Sequence, residues 1–260
     1  MGICNSSCPI RRRTKIKVAV VGLDNAGKSS VVNQITGDYQ ALVTPTLGFS
    51  SFTTTFGRMR MTIFDLGGSS SIRKYWSNYY HELHGVIFVI DSSDLQRLDE
   101  SKVALHEAVR NPKVAGKPIL ILANKQDLAD HLTADEISKS LDMGAFVQTP
   151  YHVQGCIAYV ENRTTPDVNI IEGLQWLEKA ISERHDQLQS RTQTDIVEWT
   201  KQETEKKNQQ IARVAAIKAE RENLQISEDL QKCSDIHEPV TSSTVKDPLL
   251  PGQLQTDSST

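Results

Sequence analysis

The chain has 260 residues, a formal net charge of -3 and four cysteines. That length allows one or two domains with a sizeable core, and the near-neutral balance gives no global sign of nucleic-acid binding. No apolar run reaches bilayer-spanning length, the opening MGICNSSCPI has no secretory apolar core, and Cys4, Cys8, Cys156 and Cys233 lack metal-ligand spacing, so a reducing compartment without disulfides is expected.

The first residues carry three coinciding membrane signals. Met1-Gly2 with Ser6 fits the N-myristoylation pattern, which makes Gly2 the candidate acceptor, and Cys4 and Cys8 are candidate palmitate acceptors. Arg11, Arg12 and Arg13 follow at once, and no acidic residue precedes Asp24. One acyl chain binds a bilayer marginally, and a second chain or a polybasic patch makes anchoring stable. Each basic residue near an anionic leaflet adds about 1 kcal/mol.

Residues 18–21 form an apolar run that reads as a fully buried strand. It runs into Gly22, Leu23, Asp24, Asn25, Ala26, Gly27, Lys28 and Ser29, followed by Ser30: G-x-x-x-x-G-K-S between a strand and a helix start. Glycine bounds such a loop because side chains would block backbone N–H groups from a polyphosphate. The following helix presents its N-terminus to the anion. Lys28 supplies a point charge to the β- and γ-phosphates, and the Ser29 hydroxyl is placed to ligate Mg²⁺. The helix is expected over residues 30–35, ended by Gly37. Next comes Thr44-Pro45-Thr46-Leu47-Gly48-Phe49, where Pro45 biases Thr44 toward an extended backbone. With the phosphate loop in place, Thr46 can reach the γ-phosphate and Mg²⁺, making this a nucleotide-dependent switch segment.

Residues 52–56 and 59–64 read as two strands around Gly57-Arg58. The second leads into Asp65-Leu66-Gly67-Gly68, with Asp65 placed for Mg²⁺ coordination and the Gly68 N–H free to meet a γ-phosphate. Trp76, Tyr79 and Tyr80 then cluster, either as core or as a partner surface. A buried strand over 86–90, a helix over 95–109 and a further strand over 118–123 follow. The last ends in Asn124-Lys125-Gln126-Asp127. The Asp127 carboxylate accepts from guanine N1–H and the N2 amine, a pattern adenine cannot satisfy, and such sites reject the wrong ligand strongly. Asn124 ties this loop to the phosphate loop, and the Lys125 stem can stack on the base. A later strand, 153–160, holds Cys156, Ile157 and Ala158, where a backbone N–H, that of Ile157 first, is placed for guanine O6.

Together, residues 22–29, 45–49, 65–68, 124–127 and 156–158 resemble the small GTPases of the Arf (ADP-ribosylation factor) family, over about residues 16–182. The resemblance implies a doubly wound α/β P-loop G domain, with a six-stranded, mainly parallel sheet and one antiparallel strand. It implies GTP or GDP with Mg²⁺ as ligands, the metal held by Ser29 and Thr46. It also implies a partner surface built from Phe49, Arg73, Trp76 and Tyr79. Two departures stand out. Ser69 occupies the place of the glutamine that orients the attacking water, so intrinsic hydrolysis is expected to be slow. Ile157 stands where the family has alanine, with a backbone contact expected to survive.

The missing glutamine, the N-terminal cysteines and a long C-terminal extension are similar to the ciliary Arf-like GTPases of subfamily thirteen. That resemblance implies a cilium membrane or another cytoplasmic membrane face, effector proteins, and exchange activity on a smaller Arf-like GTPase. In the extension, Leu174, Leu177 and Ile181 should close the G domain at helical spacing, and Ile211, Val214, Ile217 and Leu224 form a sparse stripe on a charged helix. That helix reads either as a solvated single helix or as a coiled coil able to pair two copies. The expected layout is a lipidated basic segment over 1–15, the G domain over 16–182, a charged helical extension over 183–233 and a disordered tail over 234–260.

Overall fold

The computed structural model describes residues 13–39, 46 and 48–235. The lipidation candidates Gly2, Cys4 and Cys8, together with Pro45, lie outside those residues. The chain divides into two compact units, Met1–Gln202 and Glu203–Thr260.

The first unit is built on a six-stranded sheet of β1 (Thr14–Val21), β2 (Phe49–Phe56), β3 (Met59–Leu66), β4 (Gly85–Asp91), β5 (Ile119–Asn124) and β6 (Tyr151–Gly155), in the order β2-β3-β1-β4-β5-β6. Only β2 runs antiparallel to its neighbour, and the remaining pairs are parallel. β4 and β5 are almost continuously apolar because helices cover both faces of a parallel sheet. One core cluster joins Ala19, Phe88 and Ile121 to Leu105 and Val109 of α3 (Leu98–Arg110). The other joins Val18, Val20 and Leu120 to Val31 of α1 (Lys28–Thr36) and to Leu174, Leu177 and Ile181 of α5 (Val168–Ser182). The latter three pack into the core of this unit, on the helical face that their spacing predicted. Short helices α2 (Ser70–Arg73) and α4 (Ala134–Ser140) complete the set.

Several expected boundaries shift for physical reasons. α1 starts at Lys28, directly after the left-handed Gly27, and ends at a left-handed Gly37 whose N–H caps the Asn33 carbonyl. The expected 95–109 helix opens as a 3₁₀ turn, Leu95–Arg97, because Asp94 accepts from the Arg97 N–H. β2 begins at Phe49, since its register pairs Phe49 with Leu66. β6 ends at Gly155, and Cys156, Ile157 and Ala158 form a loop. Their backbone is claimed by the neighbouring segment: Ala158 N–H donates to Asn124 Oδ1 at 2.9 Å.

A final helix, α6, covers His185–Asp235. Its first part belongs to the first unit, so the compact body reaches Gln202. Leu188, Thr192 and Asp195 are buried there. In the second unit Ile211, Val214, Ile217 and Leu224 are all exposed.

Candidate functional site

A cavity of about 570 Å³ opens at the C-terminal ends of the parallel strands, where doubly wound sheets bind ligands. The loop after β1 forms its floor. Gly27 adopts φ +91, and a Cβ there would strike the Asn124 amide. Gly68 packs its α-carbon against the backbone of Leu23 and Asp24, leaving no room for a side chain. Lys28 is buried and its ammonium donates to the Leu23 carbonyl at 2.8 Å. Burial lowers its pKa, with Asp65 and Asp24 pulling the other way.

Three oxygens gather beside it. Ser29 Oγ donates to Asp65 Oδ2 at 2.6 Å, Thr46 Oγ1 lies 3.0 Å from Ser29 Oγ, and Thr46 Oγ1 donates to the same Asp65 oxygen at 3.3 Å. The second carboxylate oxygen, Asp65 Oδ1, is buried with no protein partner. A buried carboxylate oxygen without a partner is costly, and burial raises the Asp65 pKa although Ser29 and Lys28 offset part of it. Oxygen donors of this kind fit a hard divalent cation such as Mg²⁺.

Asn124 joins three loops, donating to the Ala26 carbonyl at 2.8 Å while its Oδ1 accepts from Ala158 N–H. Lys125 takes φ +67 and pairs with Asp91 at 2.6 Å. Burial pushes the Asp91 carboxyl up, but Lys125 and Ser93 more than offset it and hold it low. Asp127 is exposed at the cavity rim beside Leu128 and Tyr159. Ile157 N–H, expected to be free, donates to Asp167 Oδ2 at 3.4 Å. Tyr159, not Ile157, lines the cavity on that side, a placement that no motif signalled.

Residues 22–30, Thr46, 65–69, Asn124, Lys125 and Asp127 therefore converge at one end of the sheet. The expected partner surface does not stay together. Trp76 is 4% exposed and its indole N–H donates to the Gly67 carbonyl, so it sits in the core. Phe49, 49% exposed, instead packs against Phe64 and Tyr79 at ring-centroid distances of 6.3 and 5.1 Å. The register of β2 on β3 brings Phe64 there: Ser51 faces it across the ladder, which makes Phe49 its diagonal neighbour. Arg73 pairs with Glu100 of α3. Ser69 precedes α2, and its hydroxyl lies 3.2 Å from that of Ser71.

Comparison with known proteins adds independent findings. The model of the ADP-ribosylation factor family matches residues 6–181. The chain is 37% identical over 186 residues to ADP-ribosylation factor-like protein 2 of Arabidopsis thaliana, covering 71% of this chain and 97% of that one. It is also 37% identical over 191 residues to ADP-ribosylation factor-like protein 13B of Chlamydomonas reinhardtii, covering 74% of this chain but only 36% of that relative. Among solved structures it resembles the Arl6 BBS3 small GTPase of Trypanosoma brucei with the bound nucleotide analogue GppNp. The TM-score is 0.58 at 31% identity, over 65% of this chain and 99% of that one.

Proposed function

The chain belongs to the ADP-ribosylation factor family of small GTPases, and from that premise we propose that it is a membrane-anchored GTP-binding switch whose own hydrolysis is slow. The observation that carries this reading is the oxygen cluster of Ser29, Thr46 and Asp65 next to Lys28, with Asp65 Oδ1 left without a partner. Ser29 and Thr46 would hold Mg²⁺, with Asp65 behind them. When bound, Mg²⁺ would supply charge neutralisation for the nucleotide's phosphates. Lys28 exchanges its Leu23 carbonyl for phosphate oxygens, and the loop N–H groups of residues 24–30 cradle the rest. Asp127 reads the guanine edge, while Asn124 holds the base-reading and phosphate loops in register.

The γ-phosphate is sensed by two segments joined by the backbone hydrogen bond from Gly67 N–H to the Gly48 carbonyl at 2.9 Å and by the Thr46–Asp65 side-chain bond. Thr46 belongs to one segment and Gly68 to the other. Ser69 is too short to hold an attacking water, and its hydroxyl is engaged with Ser71. Turnover therefore depends on a partner or stays slow. Anchoring falls to Gly2, Cys4 and Cys8 with Arg11–Arg13, at a ciliary or other cytoplasmic membrane face, where the switch directs membrane-protein traffic. Partners dock on Phe49 and the half-buried Tyr79, which Phe64 supports from the core. The exposed stripe of α6 is where two copies would pair.

A second reading rests on Ser69 together with the similarity to the 13B relative: a GTP-loaded exchange factor or scaffold for a smaller Arf-like GTPase. In it Arg73 contributes to the grip. Single-turnover GTP hydrolysis by wild type and Ser69→Gln tests the proposal. Slow wild-type turnover and a faster glutamine variant support it. Ordinary small-GTPase turnover by wild type would sink slow hydrolysis. Failure of wild type to bind GTP would sink the switch itself.

A further inference from the structure

We infer that the cavity between the open pleat of β1–β3 and helix α6 is a second binding site, for a polyol carrying several phosphates. The starting point is a register. Lys15 of β1 stands beside Arg60 of β3, and Arg60 stands opposite Thr55 of β2, whose hydroxyl accepts from Arg13 at 3.5 Å. One step along, Lys17 stands beside Thr62, and Thr62 opposite Thr53. Residues two apart on a strand share a face, so Arg13, Lys15 and Lys17 join Arg60 on one surface.

Adjacent strands lie about 4.8 Å apart, which sets two like charges side by side, an arrangement that costs stability unless an anion balances it. Little on the protein balances it. Glu82 is the only carboxylate lining this cavity, and it is paired with Lys17. Among the described residues no carboxylate lies within ion-pair distance of Lys15 or Arg60. Both cations face a cavity of about 390 Å³, within the usual range of about 300–1,000 Å³ for small-molecule sites.

The walls fit the same ligand class. Thr53 and Thr62 offer hydroxyls from the sheet, and Gln189 offers an amide from α6, where the buried Thr192 hydroxyl donates to the Gln189 carbonyl at 2.9 Å. His84 fixes Gln189: its Nδ1 accepts from Lys17 N–H at 3.1 Å, so its Nε2 donates to Gln189 Oε1 at 3.1 Å. Arginine presents a fork that matches phosphate, and lysine adds a point charge. The site is separate from the nucleotide cavity. Lys15 is the second residue of β1 and Gly22 follows the strand, so at about 3.3 Å per residue the two lie roughly 23 Å apart.

Two sources carry this chemistry, a phosphoinositide headgroup and a soluble inositol polyphosphate. The experiment uses the full chain in two arms: calorimetric titration with inositol trisphosphate, and sedimentation with phosphatidylcholine vesicles containing phosphatidylinositol bisphosphate, or phosphatidylserine at equal charge. The Lys15→Gln, Arg60→Gln double variant is compared with a Lys139→Gln, Lys207→Gln control that removes the same charge elsewhere. Saturable binding that falls at least about tenfold in the double variant and stays within about twofold in the control supports the site, two charge-assisted contacts having been lost. GTP affinity should be unchanged in both variants, which checks folding and separates this site from the nucleotide site. Preferential loss in the bisphosphate vesicle arm identifies the headgroup, and loss in the soluble arm alone identifies the free ligand. No saturable binding in either arm, equal losses in both variants, or no preference for bisphosphate over phosphatidylserine together with no soluble binding overturns the inference.

Discussion

The Trp76 indole N–H donates to the carbonyl of Gly67 at 2.9 Å, inside the core. Gly67 in turn donates its N–H to the Gly48 carbonyl. One buried side chain thus fixes the backbone on which both switch segments meet. Replacing Trp76 by Phe keeps most of the packing but leaves the Gly67 carbonyl without its donor. We expect a loss of about 1–3 kcal/mol, read as a lower urea midpoint with unchanged slope, and faster GTP release. Unaltered stability and unaltered release would show that the indole bond holds nothing.

Asp127 is exposed and makes little contribution to packing. Asp127→Asn should therefore change stability by no more than about 0.5 kcal/mol. On the proposed reading it replaces one acceptor with a donor facing the N1–H and N2 amine of guanine. GTP affinity should fall at least about a hundredfold, and xanthosine triphosphate, with a carbonyl in place of the amine, should regain much of it. Competition binding with the two nucleotides decides the matter, and equal affinity of the variant for GTP and wild-type levels would remove Asp127 from the base site.

Lys117 is 0% exposed, with its ammonium donating to the Tyr80 carbonyl at 3.1 Å and lying 3.7 Å from Asp195. Burial brings its pKa down to about 8 from 10.5, with Asp195 opposing. Below the folded value the lysine is charged in both states, and the folded state carries the desolvation cost. Between the two values the folded chain sheds a proton that the unfolded chain keeps, so stability rises with pH. The full effect is on the order of 3 kcal/mol. Urea midpoints of wild type at about pH 7 and about pH 10 should differ in this direction from those of Lys117→Met. Parallel curves for the two proteins would mean that the buried ammonium is solvated in solution.

The first part of α6 is part of the nucleotide-binding body. Trp199 stacks on His81 at 4.3 Å, and Lys113 reaches both Asp195 and Glu198. A fragment ending at Gln202 should be more stable than one ending at Ser182, because the shorter one exposes Lys117 and the surface that Leu188 covers. A difference of about 2–3 kcal/mol, several degrees in melting temperature, is expected from one buried leucine and an aromatic stack. Equal melting temperatures would return the boundary to the end of α5.

The sequence by itself determined the order of strands and loops along the chain and the chemistry at the strand ends. Glycine spacing, a lysine, a hydroxyl and paired acid-amide motifs are local constraints, so they are readable without the fold. The buried face of Leu174, Leu177 and Ile181 was equally legible, because helical period is local. Tertiary structure alone decided the contacts between segments far apart in sequence. It placed Trp76 in the core and Phe64 beside Phe49, because a sheet register selects which aromatic faces which. It joined the start of α6 to Lys113 and Lys117, where a charged stretch that looks solvated finds buried counter-charges. It set Lys15 beside Arg60, which lie 45 residues apart in the chain (60 − 15) and meet only through the pairing of β1 with β3. Long-range pairing depends on which strands find each other, and no window of sequence contains that information.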